Sequence, residues 1–194
     1  MRFIMLPAGL LAAIVAVFLL VPNAIIWFAF SGKSFLAGEL WRIFTYPFVH
    51  YNVEHLIENA LALVVVSLLA YEIEMTAWQY VLAFTASWLL VAAVDTVLFP
   101  AIVIVGASAA IYAVYGSFAM KGSSFIHRSW LVVIIGLTVC LRLLFNILTG
   151  SGANDVPLDV ALQTVLHLFG FAVGICMMVM CVEIGKATKQ KVFT

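Results

Sequence analysis

The sequence predicts an all-α integral membrane protein: six transmembrane helices in one bundle, with a membrane-embedded outer loop between helices 1 and 2. Hydrophobic residues fill 66% of the 194 positions and charged residues only 9%, for a mean hydropathy of +1.21. A water-soluble domain carries about a quarter charged residues, so this chain could not cover a surface that faces water. Six separate apolar runs approach the roughly 20 residues that a bilayer's hydrocarbon core requires. Between the first two runs, residues 28–52 are too polar to span and too apolar for an aqueous linker.

The first run, 4–27, follows Arg2, and no charge appears until after Gly32. A signal peptide has a shorter apolar core and a small-residue cleavage site, so this run reads as helix 1. The outer loop, FAFSGKSFLAGELWRIFTYPFVHYN, is rich in aromatic residues. It is expected to lie partly in the membrane, with Trp41, Tyr46 and Tyr51 at headgroup depth. Helices 2 to 6 are predicted at 53–71, 77–97, 104–120, 129–148 and 160–183. These are long unbroken runs rather than short segments of alternating polarity, which selects helices over a barrel.

With the N-terminus inside, the inner face receives Arg2, Lys121, Arg128, Lys186, Lys189 and Lys191, and the outer face only Lys33 and Arg42. Positive charge gathers on the cytoplasmic side, so both termini are expected there. A short chain with no soluble extension fits a prokaryotic plasma membrane, which is the location expected. The chain reads as one membrane domain over 1–194, with no soluble appendage. Zero formal net charge gives no reason to expect nucleic acid. Cys140, Cys176 and Cys181 lie in apolar stretches without zinc or disulfide spacing, and read as small packing residues. No internal repeat suggests a transporter built from inverted halves.

Strongly polar groups inside a membrane helix cost several kcal/mol, so each needs a reason. Helix 2 opens with His55, Glu58 and Asn59, and the spacing of four puts His55 and Asn59 on one face. Helix 4 contains Gly106-Ala107-Ser108-Ala109, and helix 6 contains His167, followed by Gly170 and Gly174. A lone histidine or serine in a membrane helix ordinarily serves packing. Here a serine, a histidine and a His/Asn pair share the outer half of their helices. Together they offer a nucleophile, a base and oxyanion donors, the parts of an acyl transfer. Small-residue stripes through Gly106, Ala109, Ala113 and Gly116, and through Gly170 and Gly174, would let helices 4 and 6 approach closely.

The segment WRIFTYPFVHYNVEHLIEN resembles the signature of the rhomboid family, with Trp41, Arg42, Thr45, His50, His55 and Asn59 in place. GASAAIYAVYG is similar to that family's glycine-x-serine stretch, through Gly106, Ser108 and Tyr112. LHLFGFAVG is similar to its histidine-x-x-glycine stretch, through His167, Gly170 and Gly174. The resemblance covers roughly 35–180. It implies an intramembrane serine protease in which Ser108 attacks the peptide and His167 acts as general base, then acid. It also implies an oxyanion site of His55, Asn59 and the Ser108 N–H, and Tyr112 packed on the imidazole. His50 and Arg42 would tie down the outer loop. No cofactor and no metal are implied. The partners implied are the bilayer and single-span membrane substrates with a helix-destabilised outer end.

The sequence departs from the family pattern at several places. Ala109 stands where glycine is usual, and Leu166 where alanine is usual before the histidine. Glu58 is read either as a partner for Arg42 or Arg142 or as an interface residue. Glu72 is the nearest match to a family glutamate, and Thr76 the residue replacing the glycine after it. Asp95, Asp155 and Asp159 read as interface anchors, and His127 as an ordinary inner-loop residue. The competing functions are a pseudoprotease that binds clients without cutting them, a metal site using His50, His55 and His167, and a channel.

Overall fold

The computed structural model describes residues 2–122 and 158–192. The chain starts with α1, Arg2–Leu20, and α2, Ala24–Phe28. The single run expected over 4–27 is therefore broken. Pro22 has no N–H to extend a helix, and Asn23 takes a left-handed φ of 55°, a conformation asparagine tolerates better than most residues.

The outer loop folds into short helices. In α3, Gly32–Leu36, Ser31 caps the start by accepting the Ser34 N–H at 3.1 Å. α4, Arg42–Thr45, runs directly into a 3₁₀ turn at Tyr46–Phe48. The Arg42 guanidinium pairs with Glu39 and donates to the carbonyls of Ala29 at 2.7 Å and Ile26 at 2.8 Å. Thr45 donates to the Phe28 carbonyl at 2.9 Å. These side chains satisfy carbonyls that the end of α2 leaves without intrahelical donors. Arg42 thus secures the loop through Glu39 rather than Glu58, which is exposed on α5.

The bundle proper consists of α5, Val53–Glu72, α6, Ala77–Leu98, α7, Ser108–Gly122, and α8, Leu158–Val192. Asn52 caps α5 by accepting the His55 N–H at 2.8 Å. Thr76 and Gln79 form a reciprocal capping box on α6. In the turn between α5 and α6 Glu74 takes a left-handed φ of 53°. α7 begins at 108, not 104, because Ile104 is engaged in an antiparallel bridge with Phe30. Predicted helix 5 at 129–148, with its Cys140 and Arg142, lies outside the described residues, as do His127 of the expected inner loop and Asp155 of the expected last outer loop.

Three described helical stretches are long and apolar enough to cross a membrane: Val53–Glu72, Ala77–Leu98 and Val165–Ile184. Their outward faces are apolar. Leu61 is 62% exposed, Leu68 60%, Trp78 69% and Val97 75%, a belt that only lipid would cover favourably. The chain is an integral membrane protein.

Inside, α7 and α8 make the most extensive contact, with α6 against both, α5 against α7 and α1 against α5. The α7–α8 contact is backbone on backbone. A Cβ added at Gly170 would overlap the Ala109 carbonyl oxygen, one at Gly174 that of Ala113, and one at Gly116 that of Phe171. Ser117 adds a 2.9 Å bond to the Gly174 carbonyl. From Ala109 to Ala113 on α7 the facing glycine on α8 advances from Gly170 to Gly174, so the two helices run parallel. We expect Gly174→Ala to destabilise the bundle by about 3 kcal/mol, the upper range for overpacking. Gly9→Ala should leave stability within about 1 kcal/mol of wild type, since nothing lies within 4 Å of that position. Thermal unfolding in detergent checks both.

Candidate active site

The parallel α7–α8 register determines which side chains meet above the glycines. Gly170 faces Ala109, so His167, one turn earlier on α8, comes opposite Ser108. His167 Nε2 lies 2.8 Å from Ser108 Oγ. The Tyr112 ring, one turn along α7, stacks on the imidazole with centroids 4.6 Å apart and planes 6° from parallel. The stack limits ring tilt and leaves Nε2 facing the hydroxyl. Ser108 is the first residue of α7, so its N–H has no intrahelical acceptor and shares the helix's positive end.

Of the remaining expected residues, His55 and His50 come up to Gly106. That glycine has φ +90°, in the left-handed region, and an added Cβ would sit 2.9 Å from His55 Cε1. Conformation and contact both exclude a side chain here. His55 therefore rests against the backbone two residues before Ser108. The Tyr51 ring stacks on His55, with centroids 6.1 Å apart and planes 24° from parallel, and its hydroxyl donates to the Val103 carbonyl at 3.0 Å. Asn59 is buried one turn further along α5. Its Nδ2 donates to the His55 carbonyl at 2.9 Å, and its Oδ1 has no partner among the described residues. Arg42 stands apart from this group, at the end of α2.

Sequence reasoning missed several supports. Of the three aromatic residues expected at headgroup depth, Tyr46 is buried in the protein, while Trp41 and Tyr51 are exposed. The Tyr46 hydroxyl donates to the Trp88 carbonyl at 2.7 Å, and its own carbonyl accepts the Gly106 N–H at 2.9 Å. Burial, reinforced by the charge of Asp95, raises the phenol's pKa, so the hydroxyl stays a donor. Ser87 of α6 donates to the Ala109 carbonyl at 3.0 Å. Asp95, expected at the interface, is fully buried. The two departures around the site, Ala109 and Leu166, belong to one apolar cluster with Phe30, Tyr46, Val91, Ala92 and Ile104. The added methyl of Ala109 is thereby housed rather than left facing a gap. Among the described residues, no three His, Cys, Asp or Glu side chains converge as metal ligands.

His50 is buried, 5.0 Å from the His55 ring, and neither of its nitrogens has a hydrogen-bond partner among the described residues. Burial, with His55 adding to it, lowers its pKa from 6.5 to about 4, against a smaller opposing pull from the Phe48 carbonyl. The folded loop holds His50 neutral, and an unfolded loop takes the proton first. Its contribution to stability is complete above pH 6.5 and fades as pH falls toward 4. We expect the wild type to lose about 2 kcal/mol more than His50→Asn over that interval, measured by unfolding at each pH.

Residues 37–184 match the family described as Rhomboid domain, over more than half of the chain. No curated protein matches the sequence closely. A bundle of apolar helices, the Ser108–His167 pair and a domain match that spans both make the chain a member of the rhomboid family.

Proposed function

We propose that this protein is an intramembrane serine endopeptidase that cleaves single-span membrane proteins near the outer end of their transmembrane helix. One observation carries the reading: the 2.8 Å approach of Ser108 Oγ to His167 Nε2, under the stacked Tyr112 ring. The neutral imidazole, with its proton on Nδ1, accepts the hydroxyl proton at Nε2 as Oγ bonds to the peptide carbonyl carbon. Negative charge then develops on the carbonyl oxygen. The Ser108 N–H, His55 and Asn59 are the donors for it, at the positive end of α7.

Collapse breaks the C–N bond, and His167 returns the proton to the leaving amine. A water, deprotonated by the same Nε2, then attacks the acyl-enzyme and frees Ser108. The substrate class follows from a site in the outer half of the bilayer. A peptide reaches Ser108 only where its own helix is short or unwinds, so substrates need a helix-destabilised outer end. Both termini would face the cytoplasm, in a prokaryotic plasma membrane, with the site open to the outside.

The test is cleavage of a single-span substrate in proteoliposomes. Ser108→Ala and His167→Ala should each lose at least ~10³ in kcat. Wild-type rates in both variants would contradict the mechanism, and a wild type that binds substrate but never cuts it would favour client binding. Asn59→Ala should lose about 10² in kcat with KM little changed, since its donor acts on charge that appears only in the transition state.

A further inference from the structure

Asp95 lies on the last turn of α6 with its side chain 0% exposed. Its Oδ2 accepts the backbone N–H of Gly32 at 3.0 Å, and its Oδ1 has no partner among the described residues. Gly32, the first residue of α3, lies with its backbone directly against the end of α6. A Cβ there would sit 2.5 Å from the Thr96 Cα and 3.0 Å from the Pro100 Cα. Around this contact the loop is joined to the 99–107 connection. The Lys33 N–H donates to the Pro100 carbonyl at 2.7 Å, and Phe30 and Ile104 exchange two bonds of 3.1 and 2.8 Å. That connection carries Gly106, held by the Tyr46 carbonyl, and delivers the chain to Ser108. A carboxylate buried with a single hydrogen bond is costly to keep, whereas a neutral amide would retain the acceptor without the charge.

We infer that Asp95 is a positioning residue for Ser108: its side-chain oxygen holds the Gly32 N–H, fixes the outer loop against residues 100–104, and so sets where α7 begins. The role is that of a hydrogen-bond acceptor and needs no charge. It rests on the peptidase reading and adds to it the control of the nucleophile's placement by a side chain from α6.

The experiment compares wild type, Ser108→Ala, Asp95→Leu and Asp95→Asn in proteoliposomes, by substrate cleavage and by the rate of fluorophosphonate labelling. Cleavage that disappears in Ser108→Ala establishes the chemistry independently of Asp95. Given that, folded Asp95→Leu should lose tenfold or more in kcat, with KM within twofold, and label more slowly by a similar factor. Asp95→Asn should cleave within twofold of wild type and melt no lower. Wild-type kcat in Asp95→Leu overturns the inference, as does a comparable loss of kcat in folded Asp95→Asn. The second criterion stands even when the leucine variant does not fold. Should wild type leave the substrate whole, the peptidase reading fails, and hydrogen exchange over 99–107 decides the positioning role alone. Exchange faster in Asp95→Leu but unchanged in Asp95→Asn supports it, and equal exchange in all three proteins overturns it.

Discussion

The closeness of two helix backbones governs this structure. Where α7 and α8 run side by side, Gly116, Gly170 and Gly174 leave no room for a methyl against the facing carbonyls. Within a bilayer the hydrophobic effect does little to pull helices together, so contact of this kind must come from packing and from interhelical hydrogen bonds. The Ser117 bond to the Gly174 carbonyl supplies one, and the Ser87 bond to the Ala109 carbonyl ties α6 to the same seam. A serine side chain is short. Its hydroxyl meets an imidazole on a neighbouring helix because the backbones below it are already in contact.

A second constraint comes from the loop over residues 28–52, which is hydrogen-bonded to the segment that leads into Ser108. Short helices, side chains from Arg42 and Thr45, and a bridge from Phe30 to Ile104 make it a built layer. Tyr46 links the two levels, with its hydroxyl on α6 and its carbonyl on Gly106. The position of Ser108 is thus set twice, from the α7–α8 seam below and through Gly106 above. His55 enters at the second of these points, where only a glycine lets the ring lie against the backbone.

Local pattern carries much of this information. The spacing of His55 and Asn59, the stripe of Gly170 and Gly174 after His167, and Tyr112 one turn past Ser108 all express a helical period, which a sequence displays directly. Features that depend on chain breaks or distant partners are harder to read. Composition made 4–27 one apolar run, but Pro22 and Asn23 interrupt it. Tyr46 looks like an interfacial aromatic until the fold provides the Trp88 carbonyl to bury its hydroxyl. Asp95, near the end of an apolar helix, invites an interfacial reading. Its partner is a backbone N–H 63 residues away, and no side-chain pattern announces one.

The central claim is that the imidazole of His167 activates the hydroxyl of Ser108. Treatment of the folded protein with an alkyl fluorophosphonate, followed by mass-spectrometric mapping of the adduct, tests it most directly. One adduct on Ser108, lost in a folded His167→Ala protein whose serine is intact, is the expected result. An adduct on another residue, or labelling of Ser108 at an unchanged rate without the imidazole, would contradict the account.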